Sequence, residues 1–490
     1  VFLSSFCVQA QPLNKKEKFT REDTLRGSNG PGRNWWDVQH YVISIQPEYP
    51  QKRLTGKVEI LFTVKGGING KRMQIDLQQP MQIDSIQGLK GNKLSFQREG
   101  NVYYIDFGKK NQEQQLTIHD ITAIHHVNIW FSGQPREAVN PPWEGGWIWT
   151  KDNRGRPWMT VACQGLGASA WYPCKDYQGD EPDKGATLAV TVSDSLIAVG
   201  NGRLISKSSV GKGYNEWIWQ VKNPINNYNI VPYIGKYVHL TDSYTGENGD
   251  ALSLDYWVLD YDSARAARQF GRDVKRMLKA FEYWFGPYPF YEDGFKLVQS
   301  SHLGMEHQSA VAYGNHFLDG YLGMDLSGSG WGKKWDYIII HESGHEWFAN
   351  NISTKDIADM WVHEGFTNYS ETLFTDYYYG TAAGNEYVQG IRALISNDIP
   401  IIGKYGVNKE GSGDMYFKAG NMLHLIRQLV KSDKKFRGIL TGLNKTFYHQ
   451  TVTTKQVENY ISEKAGIDFS KIFDQYLRTT MVPVLEYKTD

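Results

Sequence analysis

From Asp37 onward, apolar residues recur at every second position along the chain. Tyr41, Ile43 and Ile45 alternate with polar neighbours, as do Val58, Ile60, Phe62 and Val64, then Met73, Ile75 and Leu77, and later Leu188, Val190 and Val192. Short alternating runs separated by Gly, Asn and Asp turns predict half-buried antiparallel strands. This β-rich region extends to about Val258. The period then lengthens. Ala266, Phe270, Val274, Met277, Leu278 and Phe281 share one face at helical spacing, with Asp262 or Ser263 placed to cap the helix and Gly286-Pro287 to stop it. Helical patterns follow around Trp335–Asn350, Trp361–Phe374, Met415–Val430 and Thr454–Lys464, and they dominate to about Leu477. The closing MVPVLEY returns to an extended pattern, like the first strand of a further β unit.

A chain of 490 residues is too long for one compact core. The change of period predicts a multidomain α+β protein: a β-rich N-terminal domain over 35–258, a mostly helical domain over 259–477, and the start of a further β domain over 478–490. Residues 11–34 are polar and Gly-rich, ending RGSNGPGRN, and are expected to form a flexible lead-in. The opening VFLSSFCVQA reads as the remnant of a secretory signal peptide over 1–10, with Val8-Gln9-Ala10 as a small-residue cleavage site, so the chain is expected to be exported. Cys7 could suggest a lipid anchor, but the bulky Phe6 before it is a poor context.

Charge narrows the partners. Lys+Arg and Asp+Glu balance at 53 each, so there is no basic field for nucleic acid or a polybasic membrane attachment. No apolar run is long enough to predict a transmembrane helix. Beyond the leader only Cys163 and Cys174 remain. One possible bridge is no disulfide framework, and both thiols are expected to be reduced and buried.

Chemistry concentrates in IIIHESGHEWFANN, residues 338–351. Residues four apart share a helix face, so His341 and His345 can offer two imidazole nitrogens to one ion. Glu342 leans over the same place without needing to ligate, as a general base must. The preceding Ile338-Ile339-Ile340 makes this helix a buried one, and unpartnered buried histidines and a carboxylate would be costly without a cation. Glu364, nineteen positions after His345 in MWVHEGFTNYSE, opens a second helical pattern and can supply a third ligand. Two His, one Glu and an open position form a catalytic zinc set. Glu371 lies on the same helix face as Glu364. It is either a carboxylate that orients a ligand imidazole or a plain surface group. His363 is expected to be a bystander. By themselves, Glu306 would be a solvated loop carboxylate, Gln164 an edge residue of an apolar strand, and Tyr416 one of 30 tyrosines.

HESGH followed by WVHEGF resembles the gluzincin metallopeptidases, and within them the aminopeptidase N and leukotriene hydrolase family of zinc aminopeptidases. Three further segments are similar to that family. HLGMEHQSA (302–310) resembles its Gly-x-Met-Glu-Asn loop, CQGLGASAWYPCKD (163–176) its Gln-containing strand with a following Pro-Cys-x-Asp, and MYFKAGNMLHL (415–425) its Tyr-x-Lys segment. The resemblance covers residues from about 35 to 480. It implies a saddle-like N-terminal β domain, a thermolysin-like catalytic domain, and a site at their interface with Gln164 reaching in from the N-terminal side. It implies one zinc ion on His341, His345 and Glu364, with Glu342 as general base and Tyr416 as hydrogen-bond donor to the oxyanion. Glu306 and Gln164 would bind the free amine of a peptide, and the Gly304-Met305 backbone would hold it extended. The chain departs from the family at His307, where the family has Asn. That change is either silent or adds charge near the amine site below about pH 6.5. The rival readings are endopeptidase action or epoxide opening on the same zinc, or a peptide-binding module with a vestigial metal site.

Overall fold

The computed structural model describes residues 18–65, 72–88, 91–106 and 123–482. The leader expected over 1–10, the first part of the lead-in and most of the closing strand lie outside the described residues.

The molecule is an α+β chain, β-rich in its N-terminal part and helical in its C-terminal part. An eight-stranded sheet is built around the hairpin Trp36–Glu48 and Arg53–Val64. Its register pairs Ile43 with Val58 and Tyr41 with Ile60, so the alternating apolar positions face one core. Ala186–Ser193 joins the hairpin in parallel and buries Leu188, Val190 and Val192. A four-stranded sheet carries Gly146–Lys151 against Pro157–Ala162, and the turn that leaves the latter strand delivers Gln164.

A five-stranded sheet spans the expected domain boundary. Its order is Tyr237–Thr245, Ala251–Leu259, Phe295–Gln299, Val311–Tyr313 and Gly304–Met305. A boundary at 258 therefore cuts a sheet, and the last two long strands before it belong with the helical part. Leu252, Leu254, Tyr256 and Val258 pack in the same core as Phe270 and Ile339. Alternation along a strand identifies its buried face but not the sheet it joins.

The lead-in also differs from expectation. Helix α1 (Arg21–Gly27) starts at a capping box in which Thr20 and Asp23 satisfy each other's backbone N–H groups. Behind it Arg33 is fully buried and paired with Asp76 at 2.5 Å, while its second nitrogen donates to Arg26 O (2.8 Å) and Ser28 O (3.0 Å). A buried guanidinium on a helix's last carbonyls overrides the flexibility that Gly and Asn suggest.

In the helical part, α2 (Ser263–Phe285) buries Ala266, Phe270, Val274, Met277, Leu278 and Phe281. Helix α3 (Tyr337–Gly344) is capped by the Asp336 carboxylate, which accepts from the Ile338 and Ile339 N–H groups. It is shorter than its apolar pattern predicts, because the chain turns after Gly344. His345 keeps helical angles at the C-cap (φ −63°, ψ −18°), so its ring stays on the His341 face. Helix α4 (Trp361–Tyr379) crosses α3 closely. A Cβ on Gly344 would lie 2.7 Å from Ser370 Oγ and 3.1 Å from Thr367 Cγ2, so the absence of a side chain there permits the approach. Helices α5 (Thr381–Gly390) and α6 (Phe417–Val430) follow, then α7 (Asp433–Thr446), α8 (Thr454–Ala465) and α9 (Ser470–Arg478). Residues 479–482 form no strand.

Candidate active site

The crossing of α3 and α4 brings His341, His345 and Glu364 together. One ligand atom from each lies within 4.8 Å of the others, and all three residues are buried. Glu364 Oε2 is 3.3 Å from His345 Nε2 and 3.6 Å from His341 Nε2. Both opposite ring nitrogens are held: His341 Nδ1 by Glu371 Oε1 at 2.7 Å, His345 Nδ1 by the Phe348 carbonyl at 3.0 Å. With those nitrogens donating, each Nε2 presents a lone pair to the common point. Glu364 Oε2 is buried without a hydrogen-bond partner. A divalent cation fits this set: it takes two imidazoles and the orphaned carboxylate oxygen.

Electrostatics point the same way. Burial lowers the basicity of both imidazoles, but carboxylates outweigh it. Glu364 and Glu371 hold His341 well above its usual range, and the Glu364 charge pushes His345 up to about 9. Despite burial, the closeness of both imidazoles, His345 foremost, holds the Glu364 carboxyl far below its usual range. The site strongly favours positive charge beside Glu364, which a cation supplies.

A second group, Glu306, Glu342 and His345, also lies within 4.8 Å. It is the poorer cage, because Glu306 Oε1 already accepts from Gln164 Nε2 and from Tyr228 OH (3.0 Å). Its closeness means instead that Glu306 and Glu342 face the point where the imidazoles converge. Burial pushes the Glu342 carboxyl up to about 7. Gly304 allows Glu342 its position: a Cβ there would meet Glu342 Oε1 at 2.6 Å. Burial raises the Glu306 carboxyl too, opposed by His345 and reinforced by Glu364.

These groups line a cavity of about 830 Å³. Gln164 and Gly165 form part of one wall, contributed by the N-terminal β region. Gly304–Met305, the edge of the five-stranded sheet, forms another, and Tyr416 a third, its ring 6.0 Å from that of His341. Burial, then the charge of Glu364, raises the Tyr416 phenol well above its ordinary value, so it keeps its proton. Gln164 sits in the turn after the strand Pro157–Ala162, not on the strand, because Gly165 (φ +68°) and Gly167 (φ +93°) turn the chain there.

His363 points away from the cavity and accepts from the Thr354 N–H at 3.0 Å. His307 is fully buried, with Nδ1 2.5 Å from Tyr233 OH, and burial holds its basicity well below the ordinary range. It therefore adds no charge near Glu306 in the mildly acidic range. Cys163 and Cys174 are free and buried. Two further residues at Glu306 were not legible in the sequence: Tyr228, and Asn350, whose Nδ2 donates to Glu306 O at 2.9 Å. Neither carries a local signal, because each reaches Glu306 across long stretches of chain.

Glu371 is fully buried and also accepts from Tyr387 OH at 2.7 Å, so it is no surface group. Carboxylates that orient ligand imidazoles typically contribute about 10–100-fold to metal affinity. Glu371→Gln should weaken zinc binding by that order, read by competition with a chromogenic chelator. An unchanged affinity would mean that His341 is oriented without it.

Residues 270–476 match the Peptidase family M1 domain. The chain is 20% identical over 482 residues to glutamyl aminopeptidase of Sus scrofa, covering 92% of this chain and 49% of that protein. It is 26% identical over 219 residues to aminopeptidase N of Lactococcus lactis subsp. lactis, covering 40% of this chain and 26% of that protein. The chain spans about half the length of the curated relatives it matches along most of its own length. Its fold is similar to that of a mutant M1 zinc metallopeptidase from Deinococcus radiodurans bound to a Tyr-Ser-Ala substrate (TM-score 0.75, 17% identity, 95% of this chain and 99% of that one). It is also similar to native yeast LTA4 hydrolase (TM-score 0.71, 16% identity, 97% and 72%).

Proposed function

Because residues 270–476 match the Peptidase family M1 domain, we propose that the protein is a zinc-dependent aminopeptidase that removes the first residue from peptides with a free amine. The observation that carries this reading is the position of Glu306. Its carboxylate is buried, held by Gln164 and Tyr228, and lies within 4.8 Å of the His345 ring nitrogen. An ammonium seated on Glu306 has room for one residue before its carbonyl reaches the point where the imidazoles converge. A desolvated carboxylate favours a cationic terminus over a neutral amide, since leaving it unpaired is costly.

His341, His345 and Glu364 would hold one zinc ion, which when bound supplies Lewis acidity that polarises a carbonyl and acidifies water. The chain's own groups do the rest. The free edge at Gly304–Met305 aligns the peptide as an added strand. Glu342 takes one proton from the attacking water as the C–O bond forms. It delivers that proton to the leaving nitrogen as the C–N bond breaks. Tyr416 donates its O–H to the carbonyl oxygen as charge develops there.

Endopeptidase action needs no ammonium anchor and a binder needs no base, yet both Glu306 and Glu342 face the cavity. The test compares an aminoacyl amide with its N-acetylated form, before and after chelation. Cleavage confined to the free amine, lost with chelator and restored by zinc, is the expected result. Equal rates on both substrates would refute the exopeptidase reading, and bound zinc without turnover would favour a binder.

A further inference from the structure

The turn that presents Gln164 is held from outside by the amino-terminal segment. The Gly165 carbonyl receives two side-chain donors, Arg26 Nη2 from α1 and, at 2.9 Å, Nδ2 of Asn408, which also lines the cavity. The next residue back, Gln164, donates to Glu306. Helix α1 is itself fixed on both sides. Arg33, paired with Asp76, grips its last carbonyls, and Gly27 lies so close to the 407–408 backbone that a Cβ would sit 2.1 Å from Asn408 N. Arg26 also fits against Gly167, with Nη2 3.0 Å from where a Cβ would be. Within the turn Leu166 N–H donates to Gln164 O and Gly167 N–H to Cys163 O, and Gln78 Nε2 donates to the Leu166 carbonyl at 2.7 Å. With two glycines at positive φ, such a turn has other accessible shapes unless something outside selects one.

We propose that Arg26 is a positioning residue of the amine-binding site: from α1 it fixes the Gly165 carbonyl, and so holds Gln164 where it orients Glu306. The proposal rests on the aminopeptidase reading above. It makes the amino-terminal helix part of the specificity apparatus, though no atom of Arg26 need touch substrate. Supporting groups of this kind change how well a side chain is pre-placed rather than what it does. The loss should therefore appear in KM and in discrimination, not in turnover.

Full-length Arg26→Met, Arg26→Lys and Asn408→Gly test this, the last keeping the left-handed backbone (φ +51°) while removing its donor. Each is assayed on an aminoacyl amide and its N-acetyl form, with zinc content and Tm measured alongside. Arg26→Met should raise KM for the free-amine substrate by about tenfold with kcat within about twofold, the scale of an outer supporting contact. Arg26→Lys should recover part of the loss, and Asn408→Gly should show a smaller KM rise. Combined with Glu306→Gln, Arg26→Met should cost nothing further, because both act on one contact. A folded, zinc-loaded Arg26→Met with parental KM overturns the proposal, as does full additivity with Glu306→Gln. So does a loss in kcat and Tm with KM unchanged. If Arg26→Met does not fold, Asn408→Gly decides by the same criterion. Should the parent enzyme itself cleave both substrates equally, the aminopeptidase reading fails and the inference goes with it. A discriminating parent with an equally discriminating Arg26→Met defeats the inference alone.

Discussion

Glu342→Gln will lower kcat by about 10²–10⁴-fold, the usual contribution of a positioned general base, while the protein stays folded and keeps its zinc. The substitution is isosteric, so it preserves the packing of the side chain against Gly304. It removes the carboxylate's charge and with it the capacity to accept a proton. Glu342 ligates nothing in the His341, His345 and Glu364 set, so metal content should match the parent. Burial places the Glu342 carboxyl at about 7, where it can both take and return a proton. Turnover of an aminoacyl amide at saturating substrate measures the effect, with zinc content as the control. A variant that turns over like its parent would remove Glu342 from the chemistry.

Glu306→Gln should cost about 10²-fold or more in kcat/KM for free-amine substrates, since an unpaired buried charge typically costs about 3–5 kcal/mol and tenfold is about 1.4 kcal/mol. Here the uncompensated charge is the substrate's ammonium. The fold should tolerate the change: a glutamine carbonyl still accepts from Tyr228 OH, 3.0 Å from the present carboxylate. Rates on N-acetylated substrates should move little, so the preference for a free amine should collapse. Discrimination that survives the substitution would place amine recognition elsewhere in the cavity.

The two effects rest on residues that differed in legibility. Glu342 announces itself between His341 and His345, because helical spacing is local and places all three within one turn. Glu364 and Glu371 share a helical face for the same reason, and the structure turns that face to the two histidines. Glu306 carries no such signal. It stood out only through family resemblance, and its partners Gln164 and Tyr228 come from segments 142 and 78 residues away. The lead-in shows the limit most clearly. Its polar, Gly-rich composition suggests a flexible segment, but Arg33 finds Asp76 and a helix forms.

What the sequence by itself determined was whatever repeats over a few residues: strand faces, helix faces, and the one-turn separation of His341 and His345. Backbone geometry sets those periods, so neighbours in the chain suffice. Only the tertiary structure decided that the strands at Tyr237–Thr245 and Ala251–Leu259 join the helical part, that α4 approaches α3 through Gly344, and that Arg26 reaches the turn beside Gln164. Those facts depend on which buried surfaces fit together across the whole chain, and packing has no period to read.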